Sequence, residues 1–155
     1  MTKVLAREIS VVSIDARGPR FAAGLTTIVL AYALVTSNIW IVITQAVIFA
    51  IGAIKGPQFT PYALVFRKFI KPLLKSTTTI EDVRPPQFAQ SVGLLFALAA
   101  ITGSTIGIEP IFTIAVSFAL AAAFLNAVFN FCLGCELYLL LLRLRLSYGQ
   151  KTRTS

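Results

Sequence analysis

The stretch FAAGLTTIVLAYALVTSNIWIVITQAVIFAIGAI, residues 21–54, decides the fold of this chain, because none of its 34 residues is charged. A helix of about 20 residues crosses the hydrocarbon core of a bilayer, so the stretch is too long for one perpendicular span. Polar residues at 36–38 divide it into two helices, which we predict over residues 21–35 and 39–54. The stretch therefore predicts a helical hairpin.

The composition of the whole chain indicates that lipid solvates it. Of the 155 residues, 57% are hydrophobic and 13% are charged, and the mean hydropathy is +0.83. A soluble domain of this size could not bury so apolar a composition. The formal net charge is +8, but the basic residues flank the apolar runs, which is typical of a protein at an anionic inner leaflet and not of one that binds nucleic acid. The chain has no histidine, so imidazole metal sites and Cys-His or Ser-His catalytic pairs within it are excluded.

The second half of the chain predicts a second hairpin. Residues 87–142 carry charge only at Glu109 and Glu136. We predict a third span over 88–101, which either ends there or continues toward residue 106, and a fourth span over 111–131. The string GPRFAAGLTTIVLAYALVTS aligns with PPQFAQSVGLLFALAAITGS at an offset of 67, and AVIFAIGA aligns with AVSFALAA at an offset of 69. These alignments favour two parallel hairpin repeats related by an axis along the membrane normal.

A periodic apolar pattern lies between the hairpins, in residues 62–75. Its apolar positions recur at helical spacing and are Tyr62, Val65, Phe66, Phe69, Ile70 and Leu73. The other face is basic and consists of Arg67, Lys68, Lys71 and Lys75. This pattern predicts an interfacial helix whose basic side chains contact anionic lipid headgroups, with Pro72 bending or ending the helix early.

These observations predict an all-α fold, a polytopic four-helix membrane bundle of two helical-hairpin repeats, with an interfacial helix between the halves and a short apolar helix near the end. We divide the single membrane domain into a basic lead, a first hairpin, an interfacial segment, a second hairpin with the cysteine helix, and a basic tail, at residues 1–20, 21–54, 55–86, 87–142 and 143–155.

The ends of these segments carry further expectations. Gly18 and Pro19 are expected to break structure before the first span, and residues 76–86 are expected to form a polar link. All 14 basic residues lie in the lead, the middle segment and the tail. The positive-inside bias therefore places both termini and the middle segment in the cytoplasm.

Cys132 and Cys135 are the only cysteines, and they form a C-x-x-C pair beside Gly134 and Glu136. Residues 111–142 form either one long helix or two helices, and a helix restarting near Cys135 would favour a thiolate at its N-terminus. The spacing suits a redox pair, with Glu136 as candidate proton acceptor, or two ligands of a soft metal. The alternative is that the cysteines are small apolar residues packed between helices.

Asn126 and Asn130 lie four positions apart on one face of the fourth predicted span. Polar side chains in a membrane helix must find partners. We expect the two amides either to hydrogen-bond between helices or to line a polar pocket that leads toward the cysteines.

The strings PRFAAGLTTIVLAYAL, GPQFTPYALVFRKFIKP, PPQFAQSVGLLFAL and FCLGCELYLLL together resemble a family of small bacterial integral membrane proteins classed as domain of unknown function 4395 (DUF4395), over about residues 15–145. The resemblance implies a bacterial inner membrane but no activity. Residues that match its middle segment are Pro61, Tyr62, Phe66 and Arg67. Residues that match its ending are Cys132, Gly134, Cys135 and Glu136.

Three functions are compatible with these residues. The first is a membrane thiol protein whose Cys132 and Cys135 exchange electrons or sulfur with a cytoplasmic thioredoxin-like or sulfurtransferase partner. The second is an accessory or assembly subunit of a larger membrane complex. The third is a soft-metal carrier using the same two cysteines. The sequence does not identify a cofactor, and an oligomer is compatible with each function.

Overall fold

The computed structural model describes residues 12–76 and 79–151, so most of the predicted lead and the last four residues of the tail lie outside the described residues. The described chain contains six α-helices and two short strands. The helices are α1 (Arg17–Thr36), α2 (Ile39–Ile54), α3 (Pro61–Val65), α4 (Arg84–Thr105), α5 (Glu109–Phe129) and α6 (Leu133–Lys151). The strands are β1 (Ser13–Asp15) and β2 (Ile80–Asp82).

Three of the helices, α1, α4 and α5, are long and apolar enough to cross a membrane. Helix α2 is apolar but has only 16 residues. The turn between α1 and α2 lies where the sequence predicts it. Ser37 adopts the left-handed conformation, and the Asn38 side chain accepts a hydrogen bond from the Trp40 amide at 3.0 Å, which satisfies one free donor at the start of α2.

Both long hairpins begin earlier than the apolar runs alone predict. Gly18 and Pro19 do not break the structure, since they lie in the first turn of α1, where proline costs no hydrogen bond because the first amides of a helix have no partner inside it. Asp15 Oδ1 accepts a hydrogen bond from the Arg17 amide at 3.0 Å. In the second half, Asp82 Oδ1 accepts from the Arg84 amide at 2.9 Å.

Residues 76–86 are not a simple polar link, because they contain β2 and the first turn of α4. Strands β1 and β2 pair antiparallel, with Ile14 opposite Glu81. These two residues are 67 positions apart, which is the offset of the sequence alignment. The flanking backbone bonds keep the same symmetry, since the Ala16 amide donates to the Thr79 carbonyl at 3.3 Å and the Val83 amide donates to the Val12 carbonyl at 3.1 Å.

The helices of the two halves pack against each other across the bundle. Helix α1 packs along α5, α2 packs along α4, and α4 also contacts α5 and α6. The core between them is apolar, and its large side chains with almost no exposed surface are Leu30, Val42, Phe112 and Val116. One aromatic pair joins the start of each long hairpin to the segment after it. Phe21 lies 5.6 Å from Phe66, and Phe88 lies 5.7 Å from Tyr138, measured between ring centroids.

The predicted interfacial helix is helical but not regular. It starts as α3, continues as a π-helical turn over Phe66–Ile70 and ends as a 3-10 turn over Lys71–Leu73, which contains Pro72. Only part of its apolar face is docked, since Phe66 is buried but Phe69 is 59% exposed. The basic side chains of this segment are exposed.

The last helix is longer than predicted. Helix α6 runs to Lys151, through most of the region that the sequence predicts as a basic tail. Leucine, arginine, glutamine and lysine all have good helix propensity, so the helix continues after the apolar run has ended.

A chain of polar side chains crosses the first half of the bundle. Gln45 on α2 has no exposed surface. Its Nε2 donates to Thr26 Oγ1 on α1 at 3.4 Å, and its Oε1 accepts from the Tyr62 hydroxyl on α3 at 2.8 Å. Burial raises the pKa of Tyr62, so the hydroxyl stays a donor at neutral pH. These two hydrogen bonds connect α3 to both helices of the first hairpin.

Replacing Tyr62 by phenylalanine is expected to lower the free energy of unfolding in detergent by about 1–3 kcal/mol, because the buried Gln45 oxygen loses its donor. Tyr32→Phe is the matched control, since that side chain is 62% exposed and its loss should change stability by less than about 0.5 kcal/mol. Equal effects of the two substitutions would show that the polar chain does not stabilise the fold.

Candidate functional site

The site begins where α5 ends. Asn130 follows α5 in the left-handed conformation with φ 55°, a conformation that asparagine tolerates better than most residues. The Phe131 amide donates to the Leu125 carbonyl at 3.2 Å. Helix α6 then begins at Leu133. Of the two alternatives for residues 111–142, the structure has two helices.

The two cysteines lie at the N-terminus of α6. They form a disulfide with Cα atoms 5.1 Å apart, and both residues are half-buried. The Cys135 amide donates to Cys132 Sγ at 3.3 Å, and the Glu136 amide donates to the Cys132 carbonyl at 3.0 Å. The Cys132 side chain therefore satisfies the Cys135 amide, one of the first-turn amides that have no partner within a helix, and the Cys132 carbonyl accepts the first backbone hydrogen bond of α6.

Gly134 fixes how closely this turn approaches α4. A Cβ atom at position 134 would lie 2.5 Å from Ala89 Cβ and 2.6 Å from Ala89 Cα. Real Cβ atoms do not approach other atoms so closely, and backbone carbon cannot move aside as a flexible side chain can. The glycine between the two cysteines is therefore required for α6 to dock on α4.

The cysteines line a cavity of about 500 Å³ between the helices, which we call the cysteine cavity. Its polar side chains include Arg20, Asn126, Asn130 and Glu136. Its aromatic side chains are Phe49, Phe96 and Phe118. The structure thus places both asparagines in the wall of the cavity that the cysteines share, and it brings the exposed Glu136 to the same wall.

Arg20 is a residue of this site that sequence reasoning missed. Its Nε donates to the Ala127 carbonyl at 3.0 Å, and its Nη2 donates to the Val128 carbonyl at 3.4 Å. These carbonyls belong to the last turn of α5. The last carbonyls of a helix have no amide partner within the helix, and their partial negative charge attracts cations. The only signal in the sequence is a single arginine before the first apolar run, and nothing there pairs it with residues more than 100 positions away.

A smaller cavity of about 250 Å³ lies in the first half, at the N-terminus of α3. Thr60 Oγ1 accepts a hydrogen bond from the Ala63 amide at 3.3 Å. This bond is equivalent to the one that Cys132 Sγ accepts from the Cys135 amide. Ala63 lines this smaller cavity. The first half therefore has a similar helix cap without cysteines.

The four basic residues predicted to contact membrane headgroups lie away from the cysteines. Arg67 and Lys71 line the smaller cavity, and the Lys68 ammonium lies 5.5 Å from the centroid of the Phe69 ring. Lys75 contributes its carbonyl, which accepts from Arg17 Nη2 at 3.0 Å. Among residues 12–76 and 79–151, no three histidine, cysteine or acidic residues lie close enough together to hold a metal ion.

Gly134→Ala is expected to push α6 away from α4 and to lower the free energy of unfolding by about 1–3 kcal/mol, as overpacking does. After reduction, both cysteines should also react faster with a charged maleimide. Gly24→Ala is the control, because a Cβ atom there meets nothing within 4 Å and alanine favours a helix. Equal stability and equal thiol reactivity of the two variants would show that Gly134 does not set how closely α6 approaches α4.

Comparison with known proteins identifies the family but not the chemistry. The family model described as "Domain of unknown function (DUF4395)" matches residues 14–143. No curated protein and no solved structure matches the chain. The match covers most of the sequence, from β1 through the greater part of α6, and includes every residue of the cysteine cavity. The chain therefore belongs to the DUF4395 family.

Proposed function

We propose that this protein carries out thiol–disulfide exchange at a membrane, with Cys132 and Cys135 as the redox pair and a soluble thioredoxin-like protein as the partner. The observation that carries the proposal is the disulfide at the N-terminus of α6. There, Cys132 Sγ accepts a hydrogen bond from the Cys135 amide, and both cysteines line a cavity. Amides at a helix N-terminus stabilise a thiolate, which is the reactive form of cysteine.

The proposal includes a placement in the bacterial inner membrane. Helices α1, α4 and α5 are candidate spans, and we assign the shorter α2 as the fourth. The outward surfaces of the candidate spans are apolar, with Ile28 and Leu95 each 67% exposed, as lipid contact requires. The basic residues flank the spans, which favours cytoplasmic termini and a cytoplasmic position for the cysteines.

Two parallel hairpin repeats give the simplest account of this bundle. The central strand pair, Ile14 and Glu81, has the offset of the sequence repeat. The caps at Asp15 and Asp82 are equivalent. The first helix of each hairpin packs on the second helix of the other, so the contact of α1 with α5 is equivalent to the contact of α4 with α2. These features support a two-fold axis along the membrane normal.

The proposed exchange proceeds through a mixed disulfide. A partner thiolate attacks Cys132 Sγ, the bond between the cysteine sulfurs breaks, and Cys135 leaves as a thiolate. The second partner thiolate then attacks the partner's own sulfur in the mixed disulfide and releases Cys132 as a thiolate held by the Cys135 amide. Two electrons pass to this protein and the partner becomes a disulfide. Glu136, exposed in the same wall, carries protons between the thiols and water.

A second candidate is an accessory subunit, which the surface of α6 favours. Leu140, Leu142 and Leu144 are 53%, 42% and 59% exposed, so the helix presents apolar side chains on several sides. A neighbouring membrane subunit would cover such a surface. In that case the cysteines would serve packing alone.

The thiol proposal predicts that Cys132 and Cys135 react with a charged maleimide added to inside-out vesicles after reduction, and that neither reacts before reduction. A thioredoxin-like partner that keeps only its attacking cysteine should be trapped on Cys132 as a mixed disulfide that dithiothreitol releases, because it lacks the second thiolate that would resolve this bond. Cys132→Ser should trap none, because without Cys132 the chain has no disulfide for the partner to attack. The variant with both cysteines replaced by serine is the control for other thiols.

Two results would contradict the proposal. One is that reduced cysteines label only after the protein is denatured. The other is that the variant without cysteines supports growth and redox balance as the natural chain does. Both together would favour the accessory subunit.

A further inference from the structure

The cysteine cavity extends from the thiols into an apolar chamber, and we propose that this chamber binds a quinone-class electron carrier from the membrane. The carrier would take two electrons from the reduced Cys132–Cys135 pair. The inference rests on the proposed thiol exchange, since it names the second redox partner of the same site.

The size and lining of the chamber suit a flat, apolar ring. About 500 Å³ is within the range of sites that hold small organic ligands. Phe96 and Phe118 stack with centroids 6.0 Å apart and an interplanar angle of 15°, and Phe49 on α2 is nearly buried in the same wall. Aromatic faces pack well against a ring of this kind.

The wall of the cavity also offers hydrogen-bond donors. Arg20, Asn126 and Asn130 all line it. An arginine side chain has five N–H donors, and Arg20 uses Nε and Nη2 to hold the last turn of α5. Further N–H groups of Arg20 and the amides of the asparagines are therefore suited to the carbonyl oxygens of a quinone, which are acceptors only.

Access from the hydrocarbon follows from the position of the walls. Most lining residues belong to α1, α4 and α5, the three candidate spans. Phe118 lines the cavity and is 60% exposed, so the cavity reaches the outer surface of α5 beside it. A lipid acyl chain would also fit an apolar chamber, but it could accept no electrons, and a disulfide exchanger needs a second redox partner to turn over.

The electron balance is complete with this partner. The two cysteines lose the protons of their S–H bonds and form one bond between their sulfurs. The quinone takes the two electrons and two protons and becomes a quinol. The resulting disulfide then accepts two electrons from the soluble dithiol protein, so electrons flow from cytoplasmic thiols to the membrane carrier.

The test uses the full chain in detergent, reduced, freed of reductant and kept without oxygen. Duroquinone is the probe, because its four ring methyl groups block addition of thiols to the ring. We expect one quinol per chain from the absorbance change, with loss of both free thiols by alkylation. The variant with both cysteines replaced by serine should form none.

Two alanines on α5 provide the matched comparison. Ala123 lines the cavity and Ala121 does not. Ala123→Phe should slow quinol formation about tenfold or more, because the added ring occupies the chamber, whereas Ala121→Phe should not. Exchange with oxidised glutathione should stay unchanged in Ala121→Phe, and the thermal unfolding midpoint in detergent, measured for both variants, serves as the check on folding. Ala122→Leu, a smaller change in the same wall, replaces Ala123→Phe if that variant does not fold.

The outcomes separate this inference from the proposed function. Rapid exchange with glutathione but no quinol with duroquinone would overturn the quinone site and leave thiol exchange standing. Quinol formation that is equal in the Ala121 and Ala123 variants would place the reaction outside the cavity and also overturn it. A pair that exchanges with neither reagent after reduction would contradict thiol exchange itself.

Discussion

The backbone pairing of β1 with β2 holds together the starts of the two helical hairpins, and the rest of the structure depends on it. Because the pairing is antiparallel and centred on Ile14 and Glu81, α1 and α4 begin next to each other on the same side of the bundle. Each hairpin then packs its first helix on the second helix of the other. The cysteine cavity lies at this junction, so neither hairpin could form it alone.

Contacts around the end of α5 and the start of α6 then determine the position of the cysteines. Asn130 ends α5 in a left-handed turn, and Arg20 from the other half holds the last carbonyls of α5. Gly134 lets α6 restart in contact with Ala89. Together these contacts place the Cys132 sulfur against a first-turn amide of α6, in the wall of the cysteine cavity.

The sequence alone predicts the features that depend on long apolar runs and on local residue spacing. A run of 34 uncharged residues with a polar centre specifies α1, its turn and α2, and the C-x-x-C spacing identifies the cysteine pair. Tertiary contacts could not be predicted. Strands β1 and β2 have three residues each, too few for a visible alternation, and they form because they pair. Gly18 and Pro19 look like helix breakers unless the helix is known to start before them. The bond from Arg20 to Ala127 joins positions 107 apart, and no local pattern specifies it.

The cap that Cys132 forms on α6 has a counterpart in the Thr60 cap on α3, and this likeness bears on stoichiometry. A symmetric pair of separate hairpin chains would carry every side chain twice, including any cysteines. When the two hairpins are joined in one polypeptide, equivalent positions in the two halves can carry different side chains. One half keeps threonine and alanine at its cap, while the other has two cysteines in the corresponding positions. The chain therefore has the arrangement of a dimer but holds a single disulfide, so the exchange that we propose would move one pair of electrons per molecule.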